Sequence, residues 1–184
     1  MSKIAICMAD GCEEIEALTV VDILRRAGIT IDMLSINDTL TVTGSHAIEF
    51  KADKLITEVT TDDYDGIVLP GGMPGTTNLE SNTYVQNGVK TFAKEGKLVA
   101  AICAAPSILG RNGVAAGKKV TSYPGFDGAF KRANYIEEAV VVDGNLITSR
   151  GMGTAIDFAL AILEYLRDKN EAVEMAEKII YLYV

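Results

Sequence analysis

The sequence predicts an α/β fold, a mostly parallel sheet with helices on both faces and a small β-hairpin. Two observations lead to this prediction. Short apolar runs alternate with longer amphipathic segments through most of the chain, which is the pattern of successive strand–helix units in a parallel sheet. No repeat, low-complexity tract or Pro/Ser-rich linker interrupts the 184 residues, so we expect one domain over residues 1–184.

The first half of the chain is predicted to begin with a strand, a helix and a second strand. Residues 3–8 form an apolar run typical of a buried strand, and the helical pattern follows over about residues 13–27. Gly28 ends that helix, and residues 29–36 alternate as a strand should. The next predicted elements are a hairpin at 40–48, a strand at 66–69 and a helix at 83–94.

The second half repeats the alternation and ends in helices. Residues 143–145, Asp-Gly-Asn, lie between two short apolar runs, a combination typical of a hairpin turn. A strong helical repeat covers residues 154–166, where Thr154 and Asp157 resemble a capping box. The remaining predicted elements are strands at 97–102 and 119–121, hairpin strands at 139–142 and 146–148, and helices at 104–109 and 171–180.

Composition and charge exclude several classes of function. Hydrophobic residues make up 48% of the chain and charged residues 23%, which is typical of a globular protein and excludes extensive disorder. The net charge of -8 makes binding to nucleic acid or to an anionic membrane unexpected. The longest apolar stretch, 98–109, is well short of the roughly 20 residues that span a bilayer. The N-terminus has no signal-peptide pattern, so we expect a cytoplasmic protein.

The cysteines and the one histidine limit the possible chemistry. Cys7, Cys12 and Cys103 are too few and too unevenly spaced for a disulfide framework or a zinc site. We therefore expect no metal and no cofactor. His46 lies in the predicted hairpin, away from the strand ends, and we interpret it as an exposed or hydrogen-bonded histidine. Cys7 is expected in the core, whereas Cys12 is expected to be accessible in the loop before the first helix.

Cys103 is the first candidate for a reactive residue. In a parallel α/β fold the active site lies beyond the carboxyl ends of the strands, and Cys103 directly follows one of them. A residue between a strand and a helix occupies a sharp turn, the geometry of a nucleophile elbow. The positive end of the helix would lower the pKa of the thiol toward thiolate. The alternative is a buried structural cysteine, and spacing alone leaves both interpretations open.

Other candidates surround this position. Glu16 heads the apolar stripe of the first helix, so its carboxyl should be partly desolvated and its pKa raised; the alternative is an ordinary first-turn glutamate. The glycines Gly71 and Gly72 could supply backbone N–H groups that bind an oxyanion together with Ala104, or form a simple turn. Tyr123 and Arg150 are candidate pocket residues, with core packing and a plain connecting loop as their alternatives.

Five motifs occur in order between about residues 3 and 166. They are GCEEIEA at 11–17, VDILRRAG at 21–28, LPGG at 69–72, AICAAP at 101–106 and TSRGMGT at 148–154. Together they resemble the DJ-one-like branch of the ThiJ/PfpI family, within the class I glutamine amidotransferase-like superfamily. This resemblance implies a flavodoxin-like sheet, usually in a homodimer, with a reactive cysteine at the elbow.

The resemblance also implies roles for particular residues. Cys103 corresponds to the nucleophile of the family, Glu16 to the protonated glutamate beside it, and Gly72 and Ala104 to the backbone donors of the oxyanion hole. Tyr123 departs from the pattern, because many members have a histidine there and a neutral tyrosine is a poor general base at pH 7. Ala104 stands where the protease branch has a histidine, so peptide hydrolysis is not expected.

These observations support one hypothesis and two alternatives. The hypothesis is a cysteine-dependent enzyme of the glyoxalase or deglycase type that acts on small aldehydes or glycated substrates, linked to oxidative or carbonyl stress. The first alternative is a non-catalytic redox sensor or chaperone whose Cys103 oxidises to a sulfinate held by Glu16. The second, more weakly supported, is a module that binds a phosphorylated ligand. We also expect a homodimer, and packing of the apolar segment 179–184 on the core or across an interface.

Overall fold

The structure, a computed structural model of the chain, describes residues 2–181. Its strands are β1 (Lys3–Met8), β2 (Thr30–Ser35), β3 (Thr41–Thr43), β4 (Glu49–Lys51), β5 (Lys54–Leu55), β6 (Gly66–Leu69), β7 (Leu98–Ile102), β8 (Lys119–Val120), β9 (Asn134–Tyr135), β10 (Val140–Asp143) and β11 (Leu146–Ser149). Its α-helices are α1 (Glu14–Arg26), α2 (Gly75–Ser81), α3 (Thr83–Lys94), α4 (Pro106–Arg111), α5 (Ala155–Leu166) and α6 (Lys169–Lys178).

Within residues 2–181, seven of these strands form one sheet in the order β10-β11-β7-β6-β1-β2-β5. Every neighbouring pair is parallel except β10 and β11, which are antiparallel. β3 and β4 form a separate antiparallel pair, so the predicted hairpin is present but extends to residue 51 instead of ending at 48. β8 pairs with β9 in parallel. The predicted fold class, a flavodoxin-like and mostly parallel sheet with a small hairpin, is confirmed.

Helices cover both faces of the sheet. In β1 the side chains of Ile4, Ile6 and Met8 pack into the core that includes α1, α5 and α6. Those of Ala5 and Cys7 pack into the opposite core, which includes residues of α2, α3 and α4. Because β1 is buried on both faces, its sequence is continuously apolar rather than alternating.

The helices begin and end close to the predicted residues. α3 has the predicted bounds, whereas α4 begins at Pro106 rather than at residue 104, because the chain is still turning out of β7. α6 begins two residues before the predicted start at 171. Its N-cap is Asp168, whose carboxylate accepts hydrogen bonds from the backbone of Asn170 and Glu171 at 2.8 and 3.0 Å.

The predicted capping box at the start of α5 is wrong. Thr154 is the N-cap residue, but its side chain accepts no hydrogen bond from the helix. Its Oγ1 lies 2.6 Å from Ser149 Oγ and 2.8 Å from the Gly151 carbonyl, so the hydroxyl is engaged in the loop before the helix. Asp157 instead accepts a hydrogen bond from the Tyr181 hydroxyl at 2.8 Å.

The predicted packing of segment 179–184 is described only in part. Ile179 packs against the core that includes α1 and α5, and Ile180 is exposed. Residues 182–184 lie outside the described residues. Between residues 2 and 181, no helix combines the length and the apolar character that crossing a bilayer requires.

The strands β1, β6, β7 and β11 are parallel, so the connections that follow them meet at one edge of the sheet. Backbone hydrogen bonds join these connections. The Glu13 N–H donates to the Gly71 carbonyl at 2.9 Å, and the Cys103 N–H donates to the Ser149 carbonyl at 2.9 Å. This edge is where the candidate site residues lie.

Candidate active site

Cys103 occupies the turn between β7 and α4. Its φ of 65° is in the left-handed region, which is unfavourable for a residue with a Cβ. Two backbone hydrogen bonds hold it there: its N–H donates to Ser149 and its carbonyl accepts from the Tyr123 N–H at 2.7 Å. Cys103 is partly exposed, whereas Cys7 and Cys12 are buried. Its position is therefore that of an accessible elbow cysteine rather than a core residue.

Gly71 lies between Cys103 and Glu16. A Cβ at position 71 would lie 2.6 Å from Cys103 Cβ and 2.6 Å from Glu16 Oε2, closer than real Cβ contacts allow. Only glycine therefore permits the carboxyl and the cysteine side chain to approach each other across this strand end. The Gly71 N–H also donates to Glu16 Oε2 at 3.0 Å, which fixes the direction of the carboxyl.

The carboxyl of Glu16 is buried, with 1% of the residue exposed. Burial raises the pKa of Glu16 to about 7, and the negative charge of Glu13 also raises it. Hydrogen bonds from the Cys103 side chain and the Gly71 N–H act in the opposite direction. The raised pKa has the direction predicted from the apolar stripe of the first helix.

The pKa of Cys103 has the direction opposite to the one expected from a helix N-terminus. Burial raises the pKa of the thiol, and the negative charge of an ionised Glu16 raises it further, so the pair resists losing a second proton once one of its members is charged. The N–H groups of Gly72 and Ala104 lower it, but they do not outweigh burial. α4 has six residues and begins only at Pro106, so its dipole is too weak and too distant to dominate.

The backbone donors predicted from the glycine turn do face the sulfur. The N–H groups of Gly72 and Ala104 lie near the Cys103 side chain, where they lower the pKa of the thiol. Gly72 has a φ of 87°, and a Cβ there would collide with the backbone nitrogen of Glu13. Negative charge that develops next to the sulfur would therefore meet two fixed N–H donors.

Tyr123 lies beside the same sulfur, and Gly151 separates the two. A Cβ at Gly151 would lie 3.3 Å from Tyr123 Cδ2 and 4.0 Å from Cys103 Sγ. Tyr123 is 50% exposed, so its ring lines the mouth of the site rather than the core. Gly151 was not among the predicted site residues, although its place in the loop that follows β11 is a signal that could have identified it.

The other candidates are placed at the margin or outside the site. Arg150 forms an ion pair with Glu137, at 3.7 Å between Nη1 and Oε2, and its role in the pocket stays a prediction. His46 is exposed and lies 3.0 Å from Glu14 Oε2, which agrees with the interpretation of a hydrogen-bonded histidine. The expectation that Cys12 is accessible is wrong: it is 0% exposed, because it packs into the core that includes α1 and α5.

Within residues 2–181, one group of side chains has the composition of a metal site. Potential ligand atoms of Glu13, Glu14 and His46 lie within 4.8 Å of one another. Both carboxylates already accept hydrogen bonds, Glu13 from the Glu16 N–H and Glu14 from the His46 N–H, each at 2.7 Å. These bonds account for the arrangement without an ion.

The chain is similar to known proteins along its whole length. Protein dj-1beta of Drosophila melanogaster is 40% identical over 186 residues, and the match covers 100% of both chains. A protein of Schizosaccharomyces pombe named glutathione-independent glyoxalase DJ-1 is 33% identical and is matched over 94% of its length by 93% of this chain. The solved structure of oxidized Toxoplasma gondii DJ-1 superposes with a TM-score of 0.96 at 38% identity, with 100% of each chain covered.

The family model described as DJ-1/PfpI family matches residues 2–165 of the chain. The matched region contains the elbow cysteine, the buried glutamate and the glycine turn described above. The chain belongs to the DJ-1/PfpI family.

Proposed function

We propose that the protein is a cysteine-dependent enzyme that acts on small reactive carbonyls, such as methylglyoxal or glycated adducts. The observation that carries this proposal is the close approach of Cys103 and Glu16 on the two sides of Gly71. A Cβ at position 71 would lie 2.6 Å from both Cys103 Cβ and Glu16 Oε2. A partly exposed sulfur and a buried carboxyl with a raised pKa are suited to act as nucleophile and proton carrier. The name of the S. pombe relative supports the same class of reaction.

The first step is addition of the Cys103 thiolate to the aldehyde carbon. The C–S bond forms, and the π electrons of the carbonyl move to its oxygen, where the N–H groups of Gly72 and Ala104 stabilise the charge. The proton of Glu16 then neutralises this oxygen and yields a hemithioacetal. The thiolate is favoured while Glu16 is protonated, because the neutral carboxyl does not repel the sulfur and can donate a hydrogen bond to it.

The second step is a proton transfer within the adduct. The Glu16 carboxylate removes the proton from the carbon bonded to sulfur and returns it to the neighbouring ketone carbon, while the hydroxyl proton passes to the ketone oxygen. The product is a thioester of lactate, which water hydrolyses to lactate and the free thiol. The sum is methylglyoxal plus water to lactate, with no oxidant or reductant. Neither of these two reaction steps requires Tyr123 as a base.

A second candidate function, redox sensing, is favoured by the donors around the sulfur. Two molecules of peroxide would convert the Cys103 thiolate to a sulfinate, each delivering one oxygen and leaving as water or hydroxide. The N–H groups of Gly72 and Ala104 and a protonated Glu16 would hold the sulfinate oxygens. The related T. gondii structure is described as oxidized, which supports this chemistry in the family.

We also propose that the protein is a homodimer, as its family membership implies, and that it is cytoplasmic. Exposed apolar side chains of Ile15 and Ile48, 49% and 54% exposed, line one groove together with α1 and provide a surface for a second copy. Light scattering should give the mass of a dimer, and Ile15→Glu should shift it toward that of the monomer. A monomeric mass for the unmodified protein would contradict this proposal.

The enzymatic proposal is tested by following methylglyoxal consumption and lactate formation. The unmodified protein and Cys12→Ala, the matched control at a buried cysteine, should form lactate at similar rates. The rate of lactate formation should fall by at least about 100-fold in Cys103→Ser, because a serine hydroxyl is a much weaker nucleophile than a cysteine thiolate. Equal rates for Cys103→Ser and the unmodified protein, or no lactate from either, would contradict the proposal, and a mass increase of two oxygens after peroxide would then favour the sensor.

A further inference from the structure

One stretch of this acidic chain is strongly basic. Residues 111–132 contain a single acidic residue, Asp127, although the net charge of the whole chain is -8. The basic residues of the same stretch are Arg111, Lys118, Lys119, Lys131 and Arg132. Along the sequence they are one arginine and two separated doublets, so only the fold can bring them to one surface.

Backbone pairing brings the two doublets together. The short strands β8 and β9 are parallel neighbours, with Lys119 opposite Asn134. Just before these strands, the Gly117 N–H donates to the Arg132 carbonyl and the Asn134 N–H donates to the Lys118 carbonyl, both at 2.8 Å. The two doublets therefore lie on adjacent segments of the chain.

The end of α4 brings Arg111 to the same region. α4 packs against the short helical turn Asp127–Ala129, and a Cβ at Gly110 would lie 2.6 Å from the Ala129 carbonyl oxygen. Beside this contact lies a cavity of about 450 Å³, within the roughly 300–1,000 Å³ of small-molecule sites. The basic residues that line it are Arg111, Lys131 and Arg132.

Two of these three cations have no carboxylate partner. Within residues 2–181, Arg111 forms an ion pair with Glu80, at 2.7 Å between Nη1 and Oε2, whereas no ion pair joins Lys131 or Arg132 to a carboxylate. In the same described range, the backbone N–H groups of Lys131 and Arg132 donate to no backbone carbonyl. A bound anion would supply both the charge and the acceptors that the protein does not.

The cavity also has an apolar floor. Ala115 and Phe130 line it and are buried, with 1% and 4% of each residue exposed. Gly113 and Gly128, which line it as well, leave open space, because a Cβ at either position would meet no atom within 4 Å. An apolar floor beside unpaired cations suits a ligand that has an apolar body and a negatively charged group.

We propose that this cavity binds a small organic phosphate, with its phosphate at Lys131 and Arg132 and its apolar body against Phe130. A phosphate group carries up to about two negative charges at pH 7 and has three oxygens that accept hydrogen bonds. A guanidinium offers several donors in a fixed geometry that matches such a group, and a carboxylate would use fewer of them. Cys103 lies before the first residue of α4 and the cavity lies at its last, so the two sites are separate.

The test is the binding of phenyl phosphate at pH 7, followed by the backbone amide signals in NMR spectra. Phenol, benzoate and inorganic phosphate are the comparison ligands, because each lacks the phosphate or the apolar body. Lys131→Gln/Arg132→Gln removes the two unpaired charges from exposed positions. Lys90→Gln/Lys94→Gln is the matched control, because it removes two exposed charges of α3 that do not line the cavity.

Phenyl phosphate should bind with a dissociation constant below about 1 mM and shift the amide signals of Gly113 and Gly128. The affinity should fall by at least about tenfold in Lys131→Gln/Arg132→Gln and stay unchanged in Lys90→Gln/Lys94→Gln. Benzoate and inorganic phosphate should bind at least about threefold more weakly, and phenol should not bind measurably. Cys103→Ser should bind phenyl phosphate like the unmodified protein, so a failure of the proposed carbonyl chemistry leaves this result unaffected.

Several results would overturn the proposal. They are the lack of saturable binding up to about 10 mM, an equal affinity in Lys131→Gln/Arg132→Gln, and an equal loss in the control variant. Shifts at Gly72 and Ala104 in place of the cavity glycines would put the ligand at the Cys103 site instead. Benzoate or inorganic phosphate that binds as tightly as phenyl phosphate would contradict an organic phosphate as the ligand. If the double variant does not fold, Arg132→Gln alone decides between the same outcomes.

Discussion

The carboxyl groups of Glu14 and Glu16 lie in the same turn of α1, and the two residues are almost equally buried, with 4% and 1% exposed. Burial by itself raises the pKa of Glu14, but hydrogen bonds from the side chain and backbone of His46 outweigh it and lower the pKa to about 2. Burial raises the pKa of Glu16 to about 7. Two similar groups, two residues apart, are thus driven toward opposite protonation states.

The difference comes from the hydrogen-bond donors that each carboxyl meets and from depth, because Glu16 lies well below the surface and Glu14 just beneath it. Glu14 faces the turn between β3 and β4, where it accepts from the His46 N–H at 2.7 Å and the Ser45 hydroxyl at 3.3 Å, and lies 3.0 Å from His46 Nδ1. Glu16 faces the Gly71 N–H and a thiol, and a thiol is a weak donor. Burial therefore yields a structural anion at one position and a proton carrier at the other.

The largest expected effect is the loss of turnover when Glu16, the proposed proton carrier, is replaced. Glu16→Gln should reduce methylglyoxal turnover by about 10²–10⁴, the range for loss of a general acid–base group, because an amide cannot carry the proton. Iodoacetamide should still alkylate Cys103 in this variant, because the sulfur remains in place. Steady-state kinetics and alkylation rates measured on the same preparation check both parts. Full turnover in Glu16→Gln would remove Glu16 from the mechanism.

The next effect concerns stability rather than chemistry. Glu14→Gln places an amide NH₂ group against the donors of Ser45 and His46, so it should lower the free energy of unfolding by about 2–4 kcal/mol. The milder control is His46→Ala, which removes only an exposed ring and should lower the free energy of unfolding much less than Glu14→Gln does. Urea unfolding measures both. A neutral Glu14→Gln substitution would show that the hydrogen bonds at this turn do not hold the helix start.

The smallest effect is the pH dependence of stability, in which the two groups have opposite signs. The pKa of Glu14 is lowered by folding, so its contribution is present above its ordinary pKa of 4.5 and is lost as the pH falls toward 2. The pKa of Glu16 is raised by folding, so its contribution is present below 4.5 and is lost as the pH rises through 7.

Glu16→Gln should therefore gain stability relative to the unmodified protein between pH 4.5 and 7, on the order of 1–2 kcal/mol. In Glu14→Gln the part of the acid-side loss of stability that comes from Glu14, below pH 4.5, should be absent. Thermal unfolding from pH 3 to 8 gives both curves. Parallel curves for the three proteins would mean that neither carboxyl titrates differently in the folded state.

The sequence was sufficient for the fold, whereas spacing alone left Cys103 and Glu16 as open candidates that the resemblance to the family then selected. Alternating apolar and amphipathic runs predicted the sheet, because local periodicity follows which face of each element is buried. Cys103 could be placed because a strand-to-helix turn is a local feature. Glu16 could be placed because helical spacing links it to the apolar stripe of α1.

The features that the sequence did not predict depend on contacts between distant segments. The burial of Glu14 arises from a turn more than thirty residues away, with a separation of 32 between Glu14 and His46. Cys12 is buried in the core that includes α1 and α5, and the direction of the Cys103 pKa depends on how much solvent is excluded around the sulfur. Spacing along one segment carries no information about such contacts.

One titration tests the claim on which the mechanism depends, that Cys103 ionises while Glu16 holds the proton. The protonated-carboxyl band in the infrared spectrum and the ultraviolet absorbance of the thiolate can be followed in the same pH series, with Glu16→Gln and Cys103→Ser to assign each signal. The account predicts that the thiolate signal appears while the band of Glu16 persists. Loss of the carboxyl band at lower pH, with the thiolate appearing only far above it, would contradict the account.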